Sequence, residues 1–203
     1  MSLDLANLPN LPTLPDDAAL IIIDVQQGMD DPRRPPRNNP GAEDNMARLL
    51  AAWRATGRPR IHVRHDALEP DSPFAPGQPG HPIKTIVAPL PDEPIVVKHV
   101  NSAFIGTDLE ARLRDAGIAT VVIIGLVANY CVESTARTAG NLGFATYVVA
   151  DATAAYDRPG PDGRVFVADE IHAMTMMNLH EEFATVTTTE AVLAALGAHA
   201  GAR

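Results

Sequence analysis

A single cysteine, Cys131, stands in a chain of 203 residues. It has no intrachain partner for a disulfide, and a lone thiol fits a reducing compartment, so the expected location is the cytoplasm. Long apolar runs are missing as well. The longest, around Ala18 to Ile23 and Val121 to Ala128, fall far short of the roughly 20 residues a spanning helix needs, so no membrane partner is expected. Met1 to Asp17 carries no basic segment, and Pro9, Pro12 and Pro15 interrupt its leucines, which does not fit a secretory signal. Basic charge is scarce: 16 Lys and Arg against 25 Asp and Glu leave a net charge of -9, which argues against nucleic acid as a partner. Arg33, Arg34 and Arg37 do cluster, but prolines separate them and Asp30 and Asp31 precede them, so they read as a solvated loop. Proline is nearly absent from the second half, because 16 of the 18 lie before residue 95. The stretches Asp31 to Pro40 and Pro70 to Pro94 are therefore long irregular loops, and such loops inside a compact domain are usually functional.

What remains alternates strand and helix, the pattern of a parallel sheet covered on both faces. Runs rich in β-branched residues predict strands at Ala19 to Val25, Arg60 to Val63, Ile95 to Lys98, Thr120 to Gly125 and Thr146 to Ala150, with a sixth at Ala184 to Thr187. Met46, Leu49, Leu50 and Trp53 line one helix face, and Gly57 stops that helix. Thr107-Asp108-Leu109-Glu110 reads as a capping box opening a helix that ends at Gly117. A third helix is predicted from Asn129 to Gly143, followed by two at roughly Arg164 to Glu182 and Thr189 to Leu196. The expected fold is a three-layer α/β/α, Rossmann-like domain with a six-stranded, mainly parallel sheet. Residues 1–203 form one domain in this reading, with 1–17 as an extended N-terminal arm.

In such sheets ligands bind beyond the carboxyl ends of the strands, where the winding reverses. Three reactive side chains fall there: Asp24 after three isoleucines, Lys98 after Ile-Val-Val, and Cys131 just past the fourth strand. Taken singly, each has a plainer account. Asp24 fits a turn cap, Lys98 a lysine snorkelling to water, and Cys131 a small buried hydrophobe. Asn129, however, reads as an N-cap that puts Cys131 at the second helical position. Such a place lowers a thiol pKa to about 3.5 to 7.5 and suits a nucleophile.

Together the motifs resemble the isochorismatase-like cysteine hydrolases, which include nicotinamidases, N-carbamoylsarcosine amidases, ureidoacrylate amidohydrolases and isochorismatases. The resemblance runs from Ala-Leu-Ile-Ile-Ile-Asp-Val-Gln-Gln through Lys98, Asn101-Ser-Ala-Phe104 and Gly106-Thr-Asp-Leu109 to Gly125-Leu-Val-Ala-Asn-Tyr-Cys-Val-Glu-Ser-Thr-Ala136. It implies a catalytic triad of Asp24, Lys98 and Cys131, and a non-proline cis peptide between Leu126 and Val127. The N–H groups of Val127 and Cys131 then form the oxyanion hole. Val127-Ala128-Asn129 departs from the small-Thr-Asp that is frequent at this place in the family. The Asp-x-His metal motif of nicotinamidases is missing from His62-Val-Arg-His-Asp66, and His62 and His65 point to opposite faces of a strand, so no metal is expected. Gly28-Met-Asp-Asp31 is not a dinucleotide fingerprint, so no redox cofactor is expected either.

Position alone nominates His65, Phe74, Phe104 and Tyr130 as substrate contacts. Met174, Met176 and Met177 read as core packing or as a subunit interface, and the resemblance implies a homodimer or homotetramer. The expected activity is cleavage of a C–N bond in a small non-peptide amide, lactam or ureide through a thioester. The segment His62 to Asp66 with Ser72-Pro-Phe-Ala-Pro-Gly77 looks like a streptothricin-hydrolase-like subgroup. Two rivals stand beside it: an isochorismatase-type vinyl-ether hydrolase, which needs the acidic Asp but no nucleophile, and a non-catalytic thiol redox sensor, which has no second cysteine to resolve a sulfenic acid.

Overall fold

The computed structural model describes residues 3–8, 11 and 13–197. Six strands form one sheet: β1 (Ala19–Ile23), β2 (Arg60–His65), β3 (Ile95–Lys98), β4 (Thr120–Leu126), β5 (Ala145–Ala154) and β8 (Thr185–Thr187). Their order is β3-β2-β1-β4-β5-β8, and every pairing is parallel. The expectation of a six-stranded α/β/α sheet holds. The chain builds outward from β1 to β3, then crosses back to lay β4 on the other side of β1. The winding therefore reverses between β1 and β4, which opens a crevice at their carboxyl ends.

Alternation of side chains across β1 and β4 divides the core in two. Ala19, Ile21, Ile23, Val121 and Ile123 face α2 (Leu109–Asp115), α3 (Glu133–Asn141) and α4 (Ala168–Leu179). Leu20, Ile22, Val122 and Ile124 face α1 (Ala42–Thr56) and α5 (Thr189–Gly197). All five residues of β1 are buried, as a strand covered on both faces requires. At about 1.5 to 3 kcal/mol for each large aliphatic side chain removed from water, these two layers dominate the stability of the fold.

Several local expectations give way to tertiary context. Thr107 does not share a capping box with Glu110. Its hydroxyl donates to Ala103 O at 2.6 Å and accepts from Leu109 N at 3.3 Å, while Glu110 pairs with Arg114 one turn on. The helix predicted from Arg164 starts only at Ala168. The residues before it form an antiparallel ribbon of β6 (Arg158–Pro159) and β7 (Val165–Phe166), which the spacing of apolar residues did not reveal. In the N-terminal arm, Leu14 is fully buried, and Leu3, Leu5 and Leu8 pack on the α2–α3–α4 side of the core. Residues 1, 2, 9, 10 and 12 of that arm lie outside the described residues. Met176 is buried, whereas Met174 and Met177 are exposed. No helix among the described residues is long and apolar enough to cross a membrane.

The amino end of β2 is held by one carboxylate. Glu93, fully buried, accepts from Arg54 (2.7 Å), Arg60 (2.5 Å), His62 (2.9 Å) and the amide of Leu90 (3.0 Å). The Arg54 contact comes first among the causes that hold its carboxyl well below the ordinary 4.5. Glu93→Gln is expected to lower unfolding free energy by about 3 kcal/mol, the lower part of the range for breaking a buried pair, because both guanidiniums keep some water. A carboxyl with a depressed native pKa stabilises fully above its unfolded value and loses that contribution as pH falls. Urea unfolding of wild type and variant should therefore differ most near neutral pH and converge as pH drops below about 4.

Candidate active site

Three residues that are far apart in sequence meet in the crevice between β1 and β4. Asp24 follows β1 with φ of 48°, a left-handed conformation that Asp adopts more readily than most residues. Its amide still bonds to Val63 O at 3.0 Å, so the turn begins at the last rung of the ladder. Lys98, the last residue of β3, is completely buried, and its Nζ lies 2.6 Å from Asp24 Oδ2. The same ammonium donates to Val100 O (3.1 Å) and to Cys131 Sγ (3.3 Å), and sits 3.4 Å from His65 Nδ1. Both Asp24 oxygens are buried and receive no well-aligned hydrogen bond from the described residues. They have lone pairs to spare for a proton.

Cys131 rides on a wide π-type turn, Ala128–Val132, that precedes α3. The Leu126–Val127 peptide before it is cis. Gly125 makes the approach possible: at φ of 128° a β-carbon would stand 2.1 Å from Ile23 O, so only glycine lets β4 lie this close to β1. The expected N-cap is absent here. Val127 occupies the cap position in an extended conformation without any side-chain cap, and the α-helix proper starts at Glu133.

The electrostatics also depart from the sequence reading. The Cys131 thiol is pushed up to about 12, first by burial and then by the Asp24 carboxylate, against the pull of Lys98. Asp24 is raised as well, chiefly by burial, with Lys98 opposing. One ammonium thus serves two groups, and it balances a single negative charge. Moving the proton from Sγ to Asp24 leaves that charge count unchanged, so a thiolate forms by transfer within the site and not by loss to solvent. Burial outweighs the pull of Lys98 on the thiol. Alkylation of Cys131 by iodoacetamide is therefore expected to accelerate roughly tenfold per pH unit well past pH 9, with no plateau below pH 7.

A cavity of about 330 Å³, at the small end of the range for ligand pockets, opens above the sulfur. Asp24, His65, Phe74, Val127, Tyr130 and Cys131 all line it. Burial, then Lys98, lowers the His65 pKa, which favours the neutral ring. Phe74 hangs from the proline-rich loop, which is tied down where Gly28 N donates to Gly80 O at 2.8 Å and where Gln26 bridges His65 and His81. A side chain at Gly28 would meet the Phe74 ring at 2.9 Å, so this roof also depends on a glycine.

Phe104 is not part of the site. Ser102 and Ala103 bond to Thr138 and Thr135 of α3, which turns Phe104 into the core, where its ring stacks on Phe144 with centroids 5.9 Å apart. His62 is spent on Glu93. Sequence reasoning missed Met29, Arg34, Asn101, Tyr156 and Arg158, which line the same cavity. Arg34 was expected in solvent with its neighbours. Arg33 does lie exposed against Asp31, and Arg37 pairs with Glu43, but Arg34 turns inward. Only its aromatic partners distinguish it, and those come from distant segments.

Comparison with known proteins agrees with this architecture. The isochorismatase domain family matches residues 18–191. The isochorismatase family protein YrdC of Bacillus subtilis (strain 168) is 45% identical over 175 residues, covering 86% of this chain and 94% of its own. The streptothricin hydrolase of Streptomyces noursei is 34% identical over 145 residues, 71% of this chain and 52% of that protein. An isochorismatase-family structure from Chromobacterium violaceum ATCC 12472 superposes with a TM-score of 0.91 at 47% identity, over 94% of this chain and 98% of that one. Matched along nearly its whole length in both sequence and fold, this chain belongs to the isochorismatase family of cysteine hydrolases.

Proposed function

We propose that this protein hydrolyses a C–N bond of a small non-peptide amide, lactam or ureide through a thioester on Cys131. The observation that carries the reading is the ammonium of Lys98, buried within 3.3 Å of the sulfur and 2.6 Å of the Asp24 carboxylate. In this scheme Asp24 takes the thiol proton, and Lys98 holds the thiolate as it attacks the carbonyl carbon. The N–H groups of Val127 and Cys131 receive the developing oxyanion. Collapse breaks the C–N bond, with Asp24 returning its proton to the leaving amine. Water then gives a proton to Asp24 and attacks the thioester, and the acid leaves as the thiol reforms. No metal or cofactor enters any step.

The similarity to a streptothricin hydrolase supports amide chemistry over vinyl-ether cleavage. His65, Phe74 and Tyr130 contact the substrate in this reading, and exposed Met174 and Met177 on α4 suit a homodimer or homotetramer. The proposed setting is the cytoplasm, with neither nucleic acid nor membrane as partner. Incubation with a panel of small amides, lactams, ureides and nicotinamide tests the activity. Amine release together with an acyl adduct on Cys131 by intact mass supports it. Turnover with no adduct under rapid quench, and no dependence on the sulfur, would move the chemistry to Asp24 alone.

A further inference from the structure

An ammonium carries three N–H donors and no lone pair. Lys98 directs its three to Val100 O (3.1 Å), Cys131 Sγ (3.3 Å) and His65 Nδ1 (3.4 Å), while Asp24 stands closer, at 2.6 Å, but out of line. An imidazole nitrogen that faces such a donor has to offer its lone pair, so Nδ1 of His65 is bare and the ring proton sits on Nε2. Burial, and then Lys98, lowers the His65 pKa, so the ring gains no second proton near neutral pH.

The ring is also held in place. His65 and Lys98 stand opposite each other in the parallel register of β2 and β3. Gln26, fully buried, grips the His65 backbone at both polar atoms: its Oε1 accepts from His65 N at 2.9 Å, and its Nε2 donates to His65 O at 3.0 Å. That Nε2 also donates to His81 O at 2.7 Å, which ties this point to the roof loop. Phe74 of the same loop meets the imidazole edge-on, with ring centroids 6.3 Å apart at 80°. His65 Nε2 makes no hydrogen bond to the described residues and is not a sealed atom, and the residue lines the cavity above Cys131. A rigid, uncharged donor is left without an acceptor at the cavity wall.

We infer that His65 is a specificity-determining residue whose Nε2–H donates to an uncharged acceptor on the leaving group, so that preferred amides carry an ether or carbonyl oxygen beyond the scissile nitrogen. The amide part rests on the function proposed above; the donor and its tautomer rest on geometry alone. In that scheme the amides of Val127 and Cys131 take the oxyanion, which leaves His65 to read another atom. His65 and Asp24 share Lys98, and Asp24 protonates the departing amine, so this donor flanks the leaving group. An uncharged acceptor suits the place, because Asp24 already supplies the one negative charge that Lys98 balances.

The first test is the tautomer, read by ¹⁵N NMR of the wild-type protein with His65 assigned through its backbone resonances. Near pH 7 a pyridine-type Nδ1 and a pyrrole-type Nε2 are expected; an Nδ1–H ring or an imidazolium overturns the proposal. The second test measures how well N-(2-methoxyethyl)acetamide and N-butylacetamide, which differ by an oxygen in place of a methylene, protect Cys131 from iodoacetamide. The preference for the ether, taken as the ratio of the two dissociation constants, is expected to fall about fivefold in His65→Leu, the size of one neutral hydrogen bond. His65→Gln, whose side-chain amide is again a donor, should recover at least half of that loss on a logarithmic scale. A preference within twofold of wild type in folded His65→Leu, or no protection of wild type by either amide, overturns the proposal; if His65→Leu does not fold, the tautomer decides. Neither readout needs turnover. If both respond as expected while no amide is cleaved, the hydrolase reading fails and the donor stands; if amides are cleaved while the preference is flat, the donor role fails and the hydrolase reading stands.

Discussion

Cys131→Ala is expected to lower kcat on any amide the enzyme accepts by about 10⁴-fold or more, in line with the removal of other covalent nucleophiles. The same change is expected to leave stability within about 1 kcal/mol of wild type, because the residue is partly exposed at the cavity floor and its loss opens no sealed void. The Asp24–Lys98 pair survives and no longer shares its cation with the sulfur. Steady-state kinetics and urea unfolding, measured on one preparation, separate the two effects. Activity within tenfold of wild type would eliminate the thioester and favour an acid-catalysed scheme through Asp24.

Lys98→Met is expected to damage both activity and stability. Activity should fall by about 10²- to 10³-fold, the usual cost of removing one preorganised charge from a dry site. Stability should fall by about 3 to 5 kcal/mol near neutral pH, because Asp24 is then a buried carboxylate with no counter-ion. The pH dependence identifies the cause. Burial already raises the Asp24 pKa in the native protein, and loss of Lys98 removes the strongest opposing influence. A carboxyl whose native pKa lies above its unfolded value favours folding at low pH and loses that advantage as pH climbs through the native value. The deficit of Lys98→Met should therefore shrink in mild acid, where Asp24 is protonated, and reach its full size at higher pH. A deficit that does not vary with pH would mean that lost packing of the lysine stem, not the stranded charge, sets the cost. Thermal and urea unfolding across pH 5 to 8 distinguish the two.

Much of this was readable in the linear chain where local chemistry decides the outcome. Ala19 to Ile23 is apolar at every position, and only a strand covered on both faces buries every residue of so short a run. Gly57 and Gly117 end their helices with positive φ, a conformation that glycine adopts without strain. Asp24, Lys98 and Cys131 stood out because each breaks an apolar strand or follows one at its carboxyl end. Other local signals were overridden. Thr107 found a carbonyl four residues back, Asn129 lost its cap position to a π-type turn that begins one residue earlier, and Phe104 was drawn into the core by two threonines of α3.

The order of residues alone therefore determined the layered sheet, the places of its six strands along the chain and three reactive side chains near strand carboxyl ends, since these follow from hydrophobic periodicity and from polar groups at fixed places along it. Strands β1, β2 and β5 end at Ile23, His65 and Ala154, and not at the expected Val25, Val63 and Ala150. Only the folded molecule decided that one buried ammonium serves both a carboxylate and a thiol, and that burial holds that thiol protonated. It alone turned Arg34 between two rings while its neighbours stayed on the surface. Those outcomes depend on which distant segments exclude water from a group, and desolvation is a property of the packed volume that spacing along the chain does not encode.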